Sequence, residues 1–512
     1  MKKNFFFMAA LLVAMTGCNK EPQMENNGIS SDDKVYMSFS IQTLTTRSAT
    51  DTEGETNSNA TPDYEVGLDK ENTISSVDVV LRNANSYVCA TVTSPTQAQD
   101  GNTQTWVAEF NSTMLATDTD YEVYIYANCS AKQDVHATSD ASIDDMTQAN
   151  KFWMTNAYEP VIVNFKSYST DQAKPTDLGT HYVERAMARF DYMPKGPYTL
   201  QEKDGQPTVQ VNLTEAALIN QSKEFYMLRR VSADGTNKDW VVGGVETPNN
   251  YVVDTDYEEK SDRWGVTDIW LFDQHMTRTE EWIWKSILTK DLTQTDNWEG
   301  TAGGTTDYDG THNLNEYYIW QYCKENTIPK IEMQLNGFST GIVFKGKLSG
   351  DLVTAAAGKP IYVFDNILYG TWDKVVAAAA EDNASEAFKF AVSVCNDDKG
   401  EAKDAATLAA AGFTGFSADD DGNYYTYYYY WNRHNDNGKN QDMGKMEFAV
   451  VRNNVYKICV DNIAKYGHPK PGGSDPDPDP VDPKDPDEKA EYYFSVTAKV
   501  LPWVVRVNHV EF

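Results

Sequence analysis

The chain is short of positive charge. Its 512 residues hold 44 Lys and Arg against 76 Asp and Glu, a formal charge of −32. A nucleic-acid binder needs a basic face for the phosphates, and adsorption on anionic lipid needs one too, so both classes are disfavoured. A self-repelling acidic surface suits exposure to the outside. Cysteine is scarce: Cys18, Cys89, Cys129, Cys323, Cys395 and Cys459 are widely spaced and form no C-x-x-C. That argues against zinc, and the odd number left after Cys18 forbids full pairing, so buried free thiols are expected. The seven histidines are scattered, none at metal-ligand spacing with another, so no metal site is expected. Beyond the first residues no stretch reaches the roughly 20 apolar residues that span a bilayer. No repeat period points to a solenoid.

Motifs for catalysis are equally thin. Gly337-Phe338-Ser339-Thr340-Gly341 spells the hydrolase G-x-S-x-G, but that motif needs a following helix and Ile342-Val343-Phe344 reads as a strand. Gly341 to Lys347 spells G-x-x-x-x-G-K, with Leu348 where a phosphate loop needs Ser or Thr. Asp419-Asp420-Asp421-Gly422-Asn423 lacks the closing acidic ligand of a calcium loop and reads as a hairpin turn. No catalytic residue and no cofactor are expected. The block Tyr424-Tyr425-Thr426-Tyr427-Tyr428-Tyr429-Tyr430-Trp431 has two readings, a sugar-stacking ridge or a strand covered on both faces, and the second is favoured.

What is present begins with a secretory signal. Lys2 and Lys3 precede an apolar run from Phe5 to Val13, then Met15-Thr16-Gly17-Cys18 resembles a bacterial lipobox. Residues 1–18 are therefore expected to be a lipoprotein signal with Cys18 as the lipidated (palmitate-bearing) residue. A polar tether follows, and then Val35, Met37, Phe39 and Ile41 alternate with Tyr36, Ser38, Ser40 and Gln42, the period of a strand that buries one face. Residues 45–63 form a polar loop whose one basic residue is Arg47, an accessible place for a protease.

From Ile74 the chain reads as β, with short strands and Asn/Ser turns suggesting a sandwich. Val183 to Tyr192 is placed at the opening of a second domain, in line with a length that favours two or three. Helices are expected at Thr214–Asn220, Thr279–Lys290, Trp372–Glu381 and Ala402–Ala411. Strands are expected at Gly341–Lys345, Tyr424–Trp431, Phe448–Val451 and Asn454–Val460. A Pro-Asp stretch then acts as a semi-rigid spacer of about 3.1 Å per residue. Beyond it Phe494, Val496 and Val500 alternate, and Trp503, Val505 and Val507 continue the pattern. Some 22 residues are too few for a domain, so this strand is meant to work at a distance.

Several segments together resemble the fimbrillins of Bacteroidales-type (type V) pili, nearest to the major shaft subunit of the short, minor fimbriae. They are Glu184-Arg185-Ala186-Met187-Ala188-Arg189-Phe190, Phe225-Tyr226-Met227-Leu228-Arg229-Arg230, Glu325-Asn326-Thr327-Ile328-Pro329, Tyr428 to Asn437, Val451-Arg452-Asn453-Asn454-Val455-Tyr456-Lys457-Ile458 and Leu501-Pro502-Trp503. The resemblance implies a mainly β chain with a few helices, two transthyretin-like β-sandwich domains in tandem and a tethered C-terminal donor strand. Mapped here, the divisions are a signal at 1–18, a propeptide with the first strand at 19–47, domains at 48–182 and 183–466, a linker at 467–490 and the donor strand at 491–512. It implies cleavage by an Arg-specific surface protease between Arg47 and Ser48. The strand of Val35, Met37, Phe39 and Ile41 would be displaced, and the six apolar residues from Phe494 to Val507 would enter the next subunit. Expected partners are further copies in a head-to-tail filament, anchor and tip subunits, and host or bacterial surface ligands, at an outer-membrane cell-surface fimbrium. The competing expectation is a non-polymerising surface lipoprotein or tip adhesin that binds glycans.

Overall fold

The computed structural model describes residues 33–43, 67–100, 103–233, 235–243, 251–256, 271–294, 316–327, 338–434, 446–472 and 494–502. The chain is mainly β. A nine-stranded sheet takes the first part, in the order Tyr87–Val92, Val77–Arg82, Asp120–Ala127, Met154–Asn156, Thr176–Arg185, Lys34–Thr43, Thr103–Asn111 and Gln97–Asp100, with Val161–Asn164 also paired to Asp120–Ala127. Alternation explains its core: Val35, Met37, Phe39 and Ile41 are buried together with Trp106, Ala108 and Phe110 from the neighbouring strand.

The chain changes sheets over two residues. The Thr176–Arg185 strand belongs to the first sheet and Ala188–Met193 to the next, with Ala186 and Met187 in the bend between them. The second sheet runs Thr293–Gln294, Tyr318–Cys323, Ala188–Met193, Asn454–Ile463, Phe494–Pro502. A third, ordered Tyr198–Lys203, Gln206–Ile219, Gly341–Ser349, Tyr424–Trp431, shares one apolar core with it. Tyr192 on one sheet meets Phe344 on the other with ring centroids 5.7 Å apart, and Phe190 stacks on Tyr456 at 5.0 Å.

An insertion between Ser349 and Tyr424 carries most of the helix, with its own core of Trp372, Val375, Phe388, Val392 and Phe413. Trp372–Ala379 and Ala405–Ala410 are helical, inside the segments expected from sequence. Glu386–Cys395 and Asp351–Ala356 are helices the sequence reading passed over. The first of these starts at Ser385, whose hydroxyl accepts the Phe388 N–H, a Ser N-cap visible in the sequence.

Two expected helices are not helices. Thr214–Asn220 lies almost wholly in the long Gln206–Ile219 strand. Ala216 and Leu218 face one core while Ala217 and Ile219 face another, so the segment is buried on both sides with period two. Good helix formers were outvoted by pairing on both flanks. Thr279–Lys290 holds two short 3₁₀ turns around the Lys285–Ser286 strand. Trp282 and Trp284, two apart, both pack on the tyrosine strand, again a strand period. Phe448–Val451, expected as a strand, is a turn with a single bridge from Val450 to Asn326.

Candidate strand-exchange site

The first strand, Lys34–Thr43, is an interior strand. It pairs antiparallel with Thr103–Asn111 in nine unbroken steps, from Lys34 opposite Asn111 to Gln42 opposite Thr103. On its other side it runs parallel to Thr176–Arg185. Its four inward side chains, Val35, Met37, Phe39 and Ile41, are at most 3% exposed, and their burial amounts to roughly 6–12 kcal/mol before ordering costs. Polar contacts fix its edges: the Gln42 amide donates to Thr103 Oγ1 at 2.6 Å, Ser40 and Thr105 hydroxyls meet at 3.3 Å, and the Tyr36 N–H donates to the Ser169 carbonyl at 2.9 Å. The Lys34–Glu109 ion pair at 2.7 Å lies at the solvent-exposed end.

The parallel partner carries a bulge. Ser38 pairs with Asp177 but Ser40 with Thr180, so one extra residue sits on the partner strand. Gly179 takes it up at φ +86°, a left-handed conformation, and its N–H is held by the Asp177 carboxylate at 2.9 Å. Leu178 and His181 stand an odd number of residues apart and would face opposite sides of a regular strand. The bulge lets both be buried and sets His181 beside Ile41. Neither ring nitrogen of His181 meets a hydrogen-bond partner, and burial lowers its pKa to about 4, against the pull of the Leu178 carbonyl and Asp177.

Downstream of Arg47, the chain is pinned at Glu71. The short helix Asp69–Asn72 plants Glu71, fully buried, between the first and second sheets. Its carboxylate accepts from Arg189 Nη1 at 2.9 Å, from the Tyr322 hydroxyl at 2.6 Å and from the Leu68 N–H at 2.6 Å. Arg189 also forks onto Asp191 at 2.8 Å, and Asp191 receives Lys457 Nζ at 3.0 Å. Burial pushes the Asp191 carboxyl up, but Arg189 and Lys457 outweigh it and hold it below the usual carboxylate range. Arg185 donates to the Glu71 carbonyl, to Asn453 and to Asn72. Nearby, Glu184 pairs with Arg229 at 2.9 Å, and Arg452 pairs with Glu325 while donating to the Tyr226 and Met227 carbonyls. Four of the segments quoted for the resemblance thus meet in one buried joint. Glu71 drew no expectation from sequence, because the polar run Asp69-Lys70-Glu71-Asn72 has no apolar periodicity.

The last strand is placed differently. Phe494–Pro502 pairs antiparallel with Asn454–Ile463 of the same chain, from Phe494 opposite Ile463 to Pro502 opposite Asn454, at the edge of the second sheet. It does not touch the first strand's sheet by pairing. Of the expected donor residues, Phe494, Val496 and Val500 lie in this strand. Trp503, Val505 and Val507 lie outside the described residues, as do Cys18, Arg47 and Ser48.

The remaining candidates are structural. The tyrosine strand is covered on both sides: Tyr424, Tyr428 and Tyr430 enter the shared core, and Tyr427 packs with Trp282, Met276 and Val343 on the other face. Ser339 and Thr340 are buried ahead of a strand that opens at Gly341. Asp419 accepts the Asp421 and Asn423 N–H groups as a turn. Cys129, Cys323, Cys395 and Cys459 are buried and free as expected, whereas Cys89 is half-buried and disulfide-bonded, against the expectation of a free thiol. Among the described residues no three His, Cys, Asp or Glu side chains gather as a metal cluster.

Residues 423–509 match the family model described as major fimbrial subunit protein type IV, fimbrillin, C-terminal. Over this region the chain is similar to the fimbrillin family. The match begins just before the tyrosine strand and takes in both Asn454–Ile463 and the last strand. Among solved structures, a candidate cell adhesion protein from Parabacteroides distasonis ATCC 8503 is 11% identical, covering 93% of this chain and 99% of its own, with a TM-score of 0.39. A fimbrilin from Porphyromonas gingivalis W83 is 13% identical over 93% of this chain and 99% of its own, with a TM-score of 0.36. Those scores are too low to carry a functional argument. A search of curated proteins finds no match.

Proposed function

We propose that this chain is a fimbrillin shaft subunit, nearest to that of the short fimbriae, exported as a lipoprotein through Cys18, cut between Arg47 and Ser48 and polymerised by strand exchange. One observation carries the reading: the first strand is an interior strand joined to the rest of the chain through the loop that bears Arg47. Cutting that loop frees the strand from its covalent tie, and its loss opens two unpaired strand edges and four apolar pockets at once. Such a gap is a template for an extended segment of another copy, which restores main-chain hydrogen bonds and fills the pockets with alternate side chains. The C-terminal segment of residues 491–512 supplies that segment, and a contact from the rear of one copy to the front of the next does not close, so it yields a filament. The segments 48–182 and 183–466 are proposed as the two successive β-sandwich units of each subunit, with the division shifted to the Ala186–Met187 bend where the chain changes sheets. Glu71 keeps the new N-terminal end fastened to the joint after cutting. The partners are further copies, an Arg-specific protease, anchor and tip subunits and a surface ligand, at an outer-membrane fimbrium; no enzymatic step is assigned to the chain.

Arg47→Ala tests this directly. Cells carrying it should hold lipidated, uncut monomer and show no filaments of this product by electron microscopy. Normal filaments from that variant would sink the reading.

A further inference from the structure

We propose that His181 makes the seating of the first-strand position pH-dependent, so that acid loosens the strand in that place and neutral conditions lock it. The inference rests on the strand-removal step of the proposed function. The geometry is specific to this one residue. His181 stands on the strand that flanks the gap, in register with Ile41, and is 2% exposed. Neither ring nitrogen reaches a hydrogen-bond partner in good geometry, so a proton gained there would be buried, with the Leu178 carbonyl and Asp177 offsetting only part of its cost. The Gly179 bulge is what turns the ring inward; a regular strand with Leu178 inside would have put position 181 in water.

The surrounding charges do not replace this effect. On its own strand, Asp177 and the Leu178 carbonyl pull toward the protonated form and are outweighed by burial. On the first strand the neighbours are Ile41, with Ser40 and Gln42 paired to Thr180 and Tyr182, none of them acidic. The Lys34–Glu109 pair lies at the opposite end of the strand from Ile41.

The sign follows from which state binds the proton. With the position filled, His181 titrates at about 4; with it vacant, the ring meets water and returns toward the ordinary value of about 6.5. The vacant state therefore binds more protons between those values. Seating is tightest above about pH 6.5 and weakens as pH falls toward 4, by roughly 30-fold at about pH 5 relative to about pH 7.5. Any strand filling the position, from the same chain or another copy, meets the same ring.

The full chain, clipped after Arg47 by an Arg-specific protease, provides the test. The apparent dissociation constant of the clipped first strand is read by serial dilution and size exclusion at about pH 5 and about pH 7.5. Wild type should lose the strand roughly 30-fold more readily at the lower pH, while His181→Gln and His181→Phe, which cannot gain charge, should each shrink that ratio to about 2 or less. Equal retention at both pH values in wild type, no release at either, or a ratio unchanged in both variants overturns the inference. The readout needs no filament: a pH-dependent strand that is lost without later filament growth would defeat the shaft reading and leave this one standing.

Discussion

The two terminal strands have the same pattern and opposite situations. The first lies between Thr103–Asn111 and Thr176–Arg185, with hydrogen-bonded partners on both sides. The last lies beyond Asn454–Ile463 and, among the described residues, is paired on one side. A segment held on two sides leaves a shaped gap when it goes; one held on a single side leaves only another edge. The proposed function uses that difference, with the front of the molecule receiving a strand and the rear giving one.

The comparison can be broken by paired truncations. Phe39→Ala removes a fully buried ring from the two-sided strand and should cost about 3–5 kcal/mol in urea unfolding of the uncut chain. Val496→Ala in the one-sided strand should cost under about 1 kcal/mol in the same assay while reducing filament yield. Equal costs would erase the distinction. Glu71→Ala sharpens it, because that carboxylate fastens the chain behind the loop rather than the strand itself. Leaving Arg189 with half its buried partners should cost about 3 kcal/mol, and it should do so equally before and after cutting at Arg47. A loss confined to cut protein would mean that the joint depends on the first strand. The smallest effect belongs to the exposed ion pair: Lys34→Gln should leave the unfolding midpoint unchanged, since both partners are open to solvent. A clear drop would show that the end of the strand, not its buried middle, holds it in place.

Legibility followed the range of the interactions involved. The first strand was readable because four apolar residues at period two need no knowledge of partners. The helix at Trp372–Ala379 was readable from its alanines, and the tyrosine strand from its composition. Thr214–Asn220 misled because its side chains favour helix locally, while the two cores on either side of it draw on distant residues such as Trp282, Val343, Phe344 and Tyr428. His181 was one of seven scattered histidines until the bulge at Gly179 set it beside Ile41. Glu71, Arg189, Asp191 and Lys457 come from three distant stretches, and nothing in any one of them announces the others.

By itself the sequence determined the excess of acidic residues, the alternation at both ends and the lone basic residue behind the first strand, since each is a property of the chain read along its length. Which end would be enclosed and which left at an edge was decided by the tertiary structure alone. Strand pairing is made between segments far apart in the chain, and only their assembly fixes how many sides of a strand are held.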